Sequence, residues 1–165
     1  MNFKDIPFGS PEEFNVLIEV PKGSKLKYEY DEGTDAMKLD FVFGGDFEFI
    51  SNYGLIPGTK GGDGDHLDCH VLGDNPAIVG TIILSRPIGI IELSDRGEMD
   101  NKIIAVPVSD PVFTNVKTWD DLPVDLSDKF REFFKEIGIQ KKKTMEIKGF
   151  YGKDRAIEEI KKCRV

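Results

Sequence analysis

The chain changes its periodicity once, at Pro123, and that switch limits what it can fold into. Before it lie short β-type runs broken by Gly, Pro, Asp and Asn; after it comes a helical pattern. Residues 14–20, Phe-Asn-Val-Leu-Ile-Glu-Val, are mostly apolar, stop at Pro21, and lead into a Lys22-Gly23-Ser24 turn. Residues 25–31 alternate, with Leu26, Tyr28 and Tyr30 on one face and Lys27, Glu29 and Asp31 on the other. Further strands are expected over residues 38–43, 67–72, 78–86, 88–93 and 102–108. Beyond Pro123, the apolar residues Leu126, Phe130, Phe133, Phe134 and Ile137 fall on one face of a helix. The pattern ends that helix at Gly138 and offers Asp125 or Ser127 as its cap. A last strand over 144–150 and a second helix over 154–163, with Ala156, Ile157 and Ile160 inward, complete the pattern. The strand number and spacing suggest an antiparallel sheet or a small closed barrel, not alternating βα units. The class is therefore α+β, a β-barrel core with helices packed outside, in one domain over residues 1–165.

Charge narrows the partners. Among 165 residues, 30 are acidic and 22 basic, a formal net charge of -8, which counts against a nucleic-acid footprint. An anionic ligand would need a locally positive site or bound cations. The start, residues 1–14, carries Lys4, Asp5, Pro7, Pro11, Glu12 and Glu13 and lacks an apolar leader pattern. The longest apolar stretch, around residues 77–84, is far too short for a bilayer, so no membrane partner is expected. Cys69 and Cys163 lie far apart and form no CxxC pair, which fits a reducing compartment. The expected location is the cytoplasm.

The densest chemical signal is Gly61-Gly62-Asp63-Gly64-Asp65-His66-Leu67-Asp68, a loop that runs into a strand. Carboxylates crowded this closely repel unless cations lie between them or one keeps a proton. A second acidic group, Asp95, Glu98 and Asp100, precedes the strand that starts at Lys102, and Glu19 and Glu29, with Lys27 between them, make a third. Carboxylates from separate strand ends can converge at one barrel mouth, where oxygen ligands select hard cations such as magnesium. An EF-hand is excluded because Leu67 and Asp68 stand where it wants a polar ligand and a glycine. A zinc site from His66, Cys69 and His70 is disfavoured because strand alternation turns Cys69 away from both histidines. There is no phosphate-cradling loop ending in Gly-Lys-Ser/Thr.

Asp63-Gly64-Asp65-His66-Leu67-Asp68 resembles the Asp-Gly-Asp-Pro-x-Asp signature of the barrel-type, family I soluble inorganic pyrophosphatases, with His66 in place of proline. Val16-Leu17-Ile18-Glu19-Val20-Pro21, Lys27-Tyr28-Glu29, Asn52-Tyr53-Gly54 and Arg86-Pro87-Ile88-Gly89 are similar to the same family. Asp95, Asp100, Lys102, Ala105-Val106-Pro107 and Asp121-Leu122-Pro123 then follow in its order, so the resemblance covers nearly the whole chain. It implies a five-stranded OB-like closed barrel with additional strands and two flanking helices. It further implies magnesium-dependent hydrolysis of pyrophosphate to two phosphates, with several Mg2+ ions per site. Carried over by position, Asp63, Asp68 and Asp100 would hold the first magnesium, and Asp68 would also reach the second. Asp95, Asp100, Glu29 and Glu19 would serve the metals that arrive with substrate, Asp65 would be the general base, and Lys27, Tyr53 and Lys102 would contact phosphate. The chain's length matches the bacterial members, which implies a homohexamer.

The departures lie on the substrate side. Phe41 stands where the family has an arginine, Phe49 where it has a tyrosine, Ile137-Gly138 where it has a Tyr-Lys pair, and Arg96 where it has a glutamate. Arg96 or one of Lys141, Lys142 and Lys143 could compensate, although a lysine run is more often a solvated turn. Two other functions stand beside the first: a divergent relative hydrolysing another phosphoanhydride in a more apolar pocket, and a non-catalytic barrel that binds metal or phosphate.

Overall fold

In the computed structural model, which describes residues 2–165, the first apolar run is β1 (Phe14–Val20) and the alternating run is β2 (Leu26–Asp31). β3 (Ala36–Val42) folds back on β2 to make a separate two-stranded sheet. The larger sheet holds β1 with β4 (Asn52–Ile56), β5 (Leu67–Val71), β6 (Ile82–Asp95), β7 (Glu98–Met99), β8 (Lys102–Pro107) and β9 (Met145–Gly152). Its order β1-β4-β5-β8-β6 returns to β1 through a β1–β6 pairing, so these strands close into a ring, an OB-like barrel. β9 adds to the outside of β6.

Two helices cover this ring. α1 (Leu126–Lys141) buries Phe130, Phe133, Phe134 and Ile137, the face its periodicity marked. α2 (Lys153–Cys163) buries Ala156, Ile160 and Cys163. Alternate residues of β6 and β8 divide between them: Ile91, Ile104 and Val106 join the α1 cluster, while Ile90, Ile103 and Ala105 join the α2 cluster. Both faces are covered, which explains why these strands read as continuous apolar runs. Each fully buried large side chain contributes roughly 1.5–3 kcal/mol, so the two clusters carry much of the folding free energy.

Several expectations are corrected. The pairing is not all antiparallel, because β5 and β8 run parallel with Asp68 opposite Lys102. No strand was expected at 52–56, yet every residue of β4 is buried. Gly54 is required there: a Cβ would lie 1.9 Å from the Leu17 carbonyl oxygen. The strands expected at 78–86 and 88–93 are one strand, β6, because Pro87 sits at a bulge that absorbs its missing N–H. Residues 78–81 are instead a turn, closed by Thr81 N donating to the Ile78 carbonyl at 3.1 Å. β3 starts at Ala36, not at 38.

α1 also runs past Gly138 and stops at Lys142, whose φ of 53° is left-handed. Gly138 permits the return of the chain, since a Cβ there would stand 2.9 Å from the Lys143 carbonyl oxygen. Asp125 occupies the cap position without a side-chain bond, and Ser127 lies inside the helix. Among the described residues, no helix is long and apolar enough to cross a membrane.

Candidate active site

The end of β1, the β2–β3 hairpin, the loop before β5 and the start of β8 meet around one cleft of about 350 Å³. Glu19, Lys27, Glu29, Tyr53, Asp63, Asp65, Asp68, Asp95, Asp100 and Lys102 all line it. Strand alternation explains the selection. Lys27 and Glu29 come from one face of β2, and Asp68 and Lys102 are directly opposed on parallel strands. The loop is shaped by its own aspartate: Asp65 N donates to Asp63 Oδ1 at 3.1 Å and Gly61 N donates to the Asp65 carbonyl at 2.7 Å.

Lys102 is the central cation. Its Nζ donates to Asp68 Oδ2 at 2.6 Å, to Asp100 Oδ2 at 3.0 Å and to the Tyr53 hydroxyl at 3.3 Å. Burial opposes its charge, but Asp68, Tyr53 and Asp100 hold its pKa well above the ordinary lysine value. Burial would likewise raise Asp68, and the Lys102 ammonium overcomes it and holds Asp68 low. Asp100 gains less from the same lysine, so burial pushes it up to about 6. Tyr53 is buried and raised well above 10, so it remains a hydroxyl donor.

The outlying carboxylates behave differently. Glu19 is 4% exposed, and burial raises it to about 8 despite the Tyr30 N–H that donates to its Oε2 at 2.7 Å. Asp65 is raised by burial and by the charges of Asp63 and Asp68. Asp95 is held low, because the bond and charge of Lys143, at 2.6 Å, outweigh its burial. Where a lysine is close, as at Asp68 and Asp95, the wall ionises readily; Glu19, Asp65 and Asp100 resist ionisation, and that part of the wall is short of positive charge.

Five charged residues missing from the proposed ligand and contact set also line the cleft: Asp40, Arg96, Glu98, Lys141 and Lys143. Asp40 Oδ2 accepts from Lys27 Nζ at 2.9 Å and lies 3.7 Å from Lys141 Nζ. Burial lowers the Lys141 pKa, as do the charges of Lys27 and Lys143. The lysine run is therefore not a solvated turn: Lys142 makes the left-handed turn that sends Lys141 and Lys143 to the cleft. Gly138 was the available signal, read as a stop where it serves as a point of close approach. Phe41 lies under Lys141, whose Nζ is 5.4 Å from the ring centre. Arg96 lines the cleft as well, on Asp95 at 3.1 Å.

Donor chemistry suits a hard divalent cation: the wall is built of carboxylate oxygens, and Asp68 and Asp100 already share one cation, the Lys102 ammonium. Among the described residues, no three His, Cys, Asp or Glu side chains converge closely enough to hold an ion as they stand. Zinc is not favoured, because His66 Nε2 lies 2.6 Å from Glu32 Oε1 while Cys69 and His70 are buried in different apolar clusters.

An acidic cleft faced by lysines, carried on an OB-like barrel, has the donor chemistry for hard cations beside a small polyanion. A sequence model described as inorganic pyrophosphatase matches residues 16–165, and the chain belongs to that family. The inorganic pyrophosphatase of Saccharolobus solfataricus is 42% identical over 157 residues, 93% of this chain and 91% of the relative. That of Synechocystis sp. is 41% identical over 149 residues, 90% of this chain and 88% of its own. The crystal structure of inorganic pyrophosphatase from Thermus thermophilus matches with a TM-score of 0.92 at 34% identity, covering 99% of this chain and 97% of that one.

Proposed function

We propose that this chain hydrolyses inorganic pyrophosphate to two phosphates with magnesium, and that residues 1–165 act as one unit. The observation that carries this reading is the carboxylate wall of the cleft set against Lys27, Lys102, Lys141 and Lys143 in a member of this family. Asp63, Asp68 and Asp100 would hold the first magnesium, with Asp68 reaching a second, and Asp95, Glu19 and Glu29 would serve the ions that enter with substrate. Bound magnesium supplies neutralisation of the phosphoryl oxygens and a lower pKa for water.

The chain's own side chains do the rest. Lys27, Lys102 and the Tyr53 hydroxyl donate to phosphoryl oxygens and fix the substrate in the cleft. Asp65 accepts the proton of the attacking water; its raised pKa makes it a stronger base than an ordinary aspartate. The water oxygen bonds to one phosphorus as that phosphorus's bond to the bridging oxygen breaks, and the other phosphate leaves with the bridging oxygen. Lys141 and Lys143 stabilise the charge on the phosphates, in place of the basic groups missing at positions 41 and 138.

Phosphate release from pyrophosphate, with and without magnesium, tests the reading. Folded, magnesium-bound protein that releases none would refute it and leave the non-catalytic barrel. The aromatic flank of the cleft, Phe43, Phe49, Phe133 and Phe134, favours one alternative, an organic diphosphate. A substrate panel in which pyrophosphate turns over fastest excludes that alternative. We further propose a cytoplasmic location and a homohexamer; gel filtration at micromolar concentration checks the hexamer, and cell fractionation checks the location.

A further inference from the structure

α2 carries a buried carboxylate that the chemistry above does not use. Glu159, 5% exposed, reaches Asn101, the residue between Asp100 and Lys102. Asn101 Nδ2 donates to Glu159 Oε1 at 3.1 Å, and Leu93 N donates to Asn101 Oδ1 at 3.2 Å. A carboxylate oxygen accepts here and a backbone N–H donates, so the Asn101 amide has one permitted orientation. Arg155 fixes the carboxylate from the other side, its Nη1 donating to Glu159 Oε2 at 3.0 Å and its Nε to Glu92 Oε1 at 2.9 Å.

The place where this network attaches is informative. Pairing between β6 and β8 ends at Ile91 opposite Lys102. Beyond that point Asp100 N donates to the Leu93 carbonyl at 2.8 Å, and the Asn101 side chain supplies the matching acceptor for the Leu93 N–H. Asn101 thus prolongs the ladder by one rung, and Glu159 holds the rung in place. Its two neighbours in sequence line the cleft: Asp100 and Lys102, joined at 3.0 Å.

We propose that Glu159 is a positioning residue for the reaction: acting through Asn101, it sets where Asp100 and Lys102 stand in the cleft. This rests on the cleft being the pyrophosphatase site. Reacting groups must be held to within about 0.5 Å, and a misplacement of roughly 1 Å can cost on the order of 10²-fold in rate. Neither Glu159 nor Asn101 touches the reacting atoms, so the effect travels through the backbone on either side of residue 101.

The test compares Glu159→Leu, Glu159→Gln, Asn101→Ala and the Glu159→Leu/Asn101→Ala double variant, with kcat taken at saturating pyrophosphate and magnesium, well below each melting point. Glutamine keeps an acceptor for Asn101 but loses the charge facing Arg155. The expected result is a loss of kcat of about tenfold or more in Glu159→Leu and Asn101→Ala, a double variant no worse than either single one, and rescue to within about threefold in Glu159→Gln even though its melting temperature falls. Three results overturn the proposal: full kcat in Glu159→Leu, losses that multiply in the double variant, or a Glu159→Gln variant as slow as Glu159→Leu. If Glu159→Leu does not fold, Asn101→Ala against Glu159→Gln decides alone. Wild-type protein without pyrophosphate turnover would refute the functional reading itself, which separates that failure from this one.

Discussion

Lys102, at the start of β8, stands opposite Asp68 on the parallel strand β5, and its ammonium donates to the Asp68 carboxylate at 2.6 Å. The lysine ties the acidic wall together, and in the proposed reaction it also presents charge to the substrate. Charge-assisted hydrogen bonds contribute about 1.5–3 kcal/mol, and each 1.4 kcal/mol is about tenfold. Lys102→Gln is therefore expected to lower kcat/KM by about ten- to hundredfold or more, measured by phosphate release. It should also destabilise the protein at neutral pH, because Asp68 and Asp100 lose their shared cation.

Asp65 is the proposed proton acceptor, and its backbone needs only its own carbonyl and N–H to hold the loop. Asp65→Asn preserves those bonds. General-base assistance is worth ~10²–10⁴-fold, so kcat should fall by that order while the melting temperature stays close to that of the parent. A variant retaining more than a tenth of the parental kcat would contradict the role.

Lys141 is the test of how this chain replaces its missing basic groups. Lys141→Gln should raise KM for pyrophosphate about tenfold with a smaller change in kcat, as expected when one charged contact to the substrate is lost. Steady-state kinetics at low and high salt check this, and the difference should narrow as salt screens the contact.

His70 makes a prediction about acid. It is fully buried among Tyr53, Phe130, Phe133 and Phe134, with Nδ1 at 2.8 Å from Ser51 Oγ, and among the described residues Nε2 has no partner. Burial lowers its pKa to about 3, so the folded state holds the ring neutral while the unfolded chain protonates it near its ordinary value of 6.5. The unfolded state then binds more protons, and stability present at pH 7 falls as pH drops below 6.5. At about 1.4 kcal/mol per pH unit, the loss between pH 7 and pH 5 is about 2 kcal/mol. The raised carboxyl of Glu19 acts in the opposite sense over the same range, so the test is the difference: urea titrations at pH 7 and pH 5 should show the parent losing about 2 kcal/mol more than His70→Leu.

The carboxylates were legible because glycines and strand starts single them out: Asp63, Asp65 and Asp68 announce a loop running into a strand. β1, β2, β5, β8 and both helices were legible through period and punctuation. What escaped were features decided by contact at a distance. β4 contains Asn52 and Gly54, poor strand formers, yet the closing ring demands a residue without a Cβ beside Leu17. Pro87 looked like a break because nothing local says that a bulge will hold it. The cleft-facing lysines were hidden because Gly138 signals a helix end in most sequences, while here the long apolar face of α1 carries the helix onward.

The two walls of the cleft do not share one fate when the protein fluctuates. β2 and β3 form a sheet of their own with no buried residue in either strand, yet they carry Lys27, Glu29 and Asp40. The barrel strands that carry Glu19, Tyr53, Asp68 and Lys102 can open only with the ring itself. Amide protons of the hairpin should therefore exchange with solvent much sooner than those of β6 and β8. In the proposed reaction, opening of the hairpin alone would let substrate in and phosphate out, with the ring carboxylates held in place.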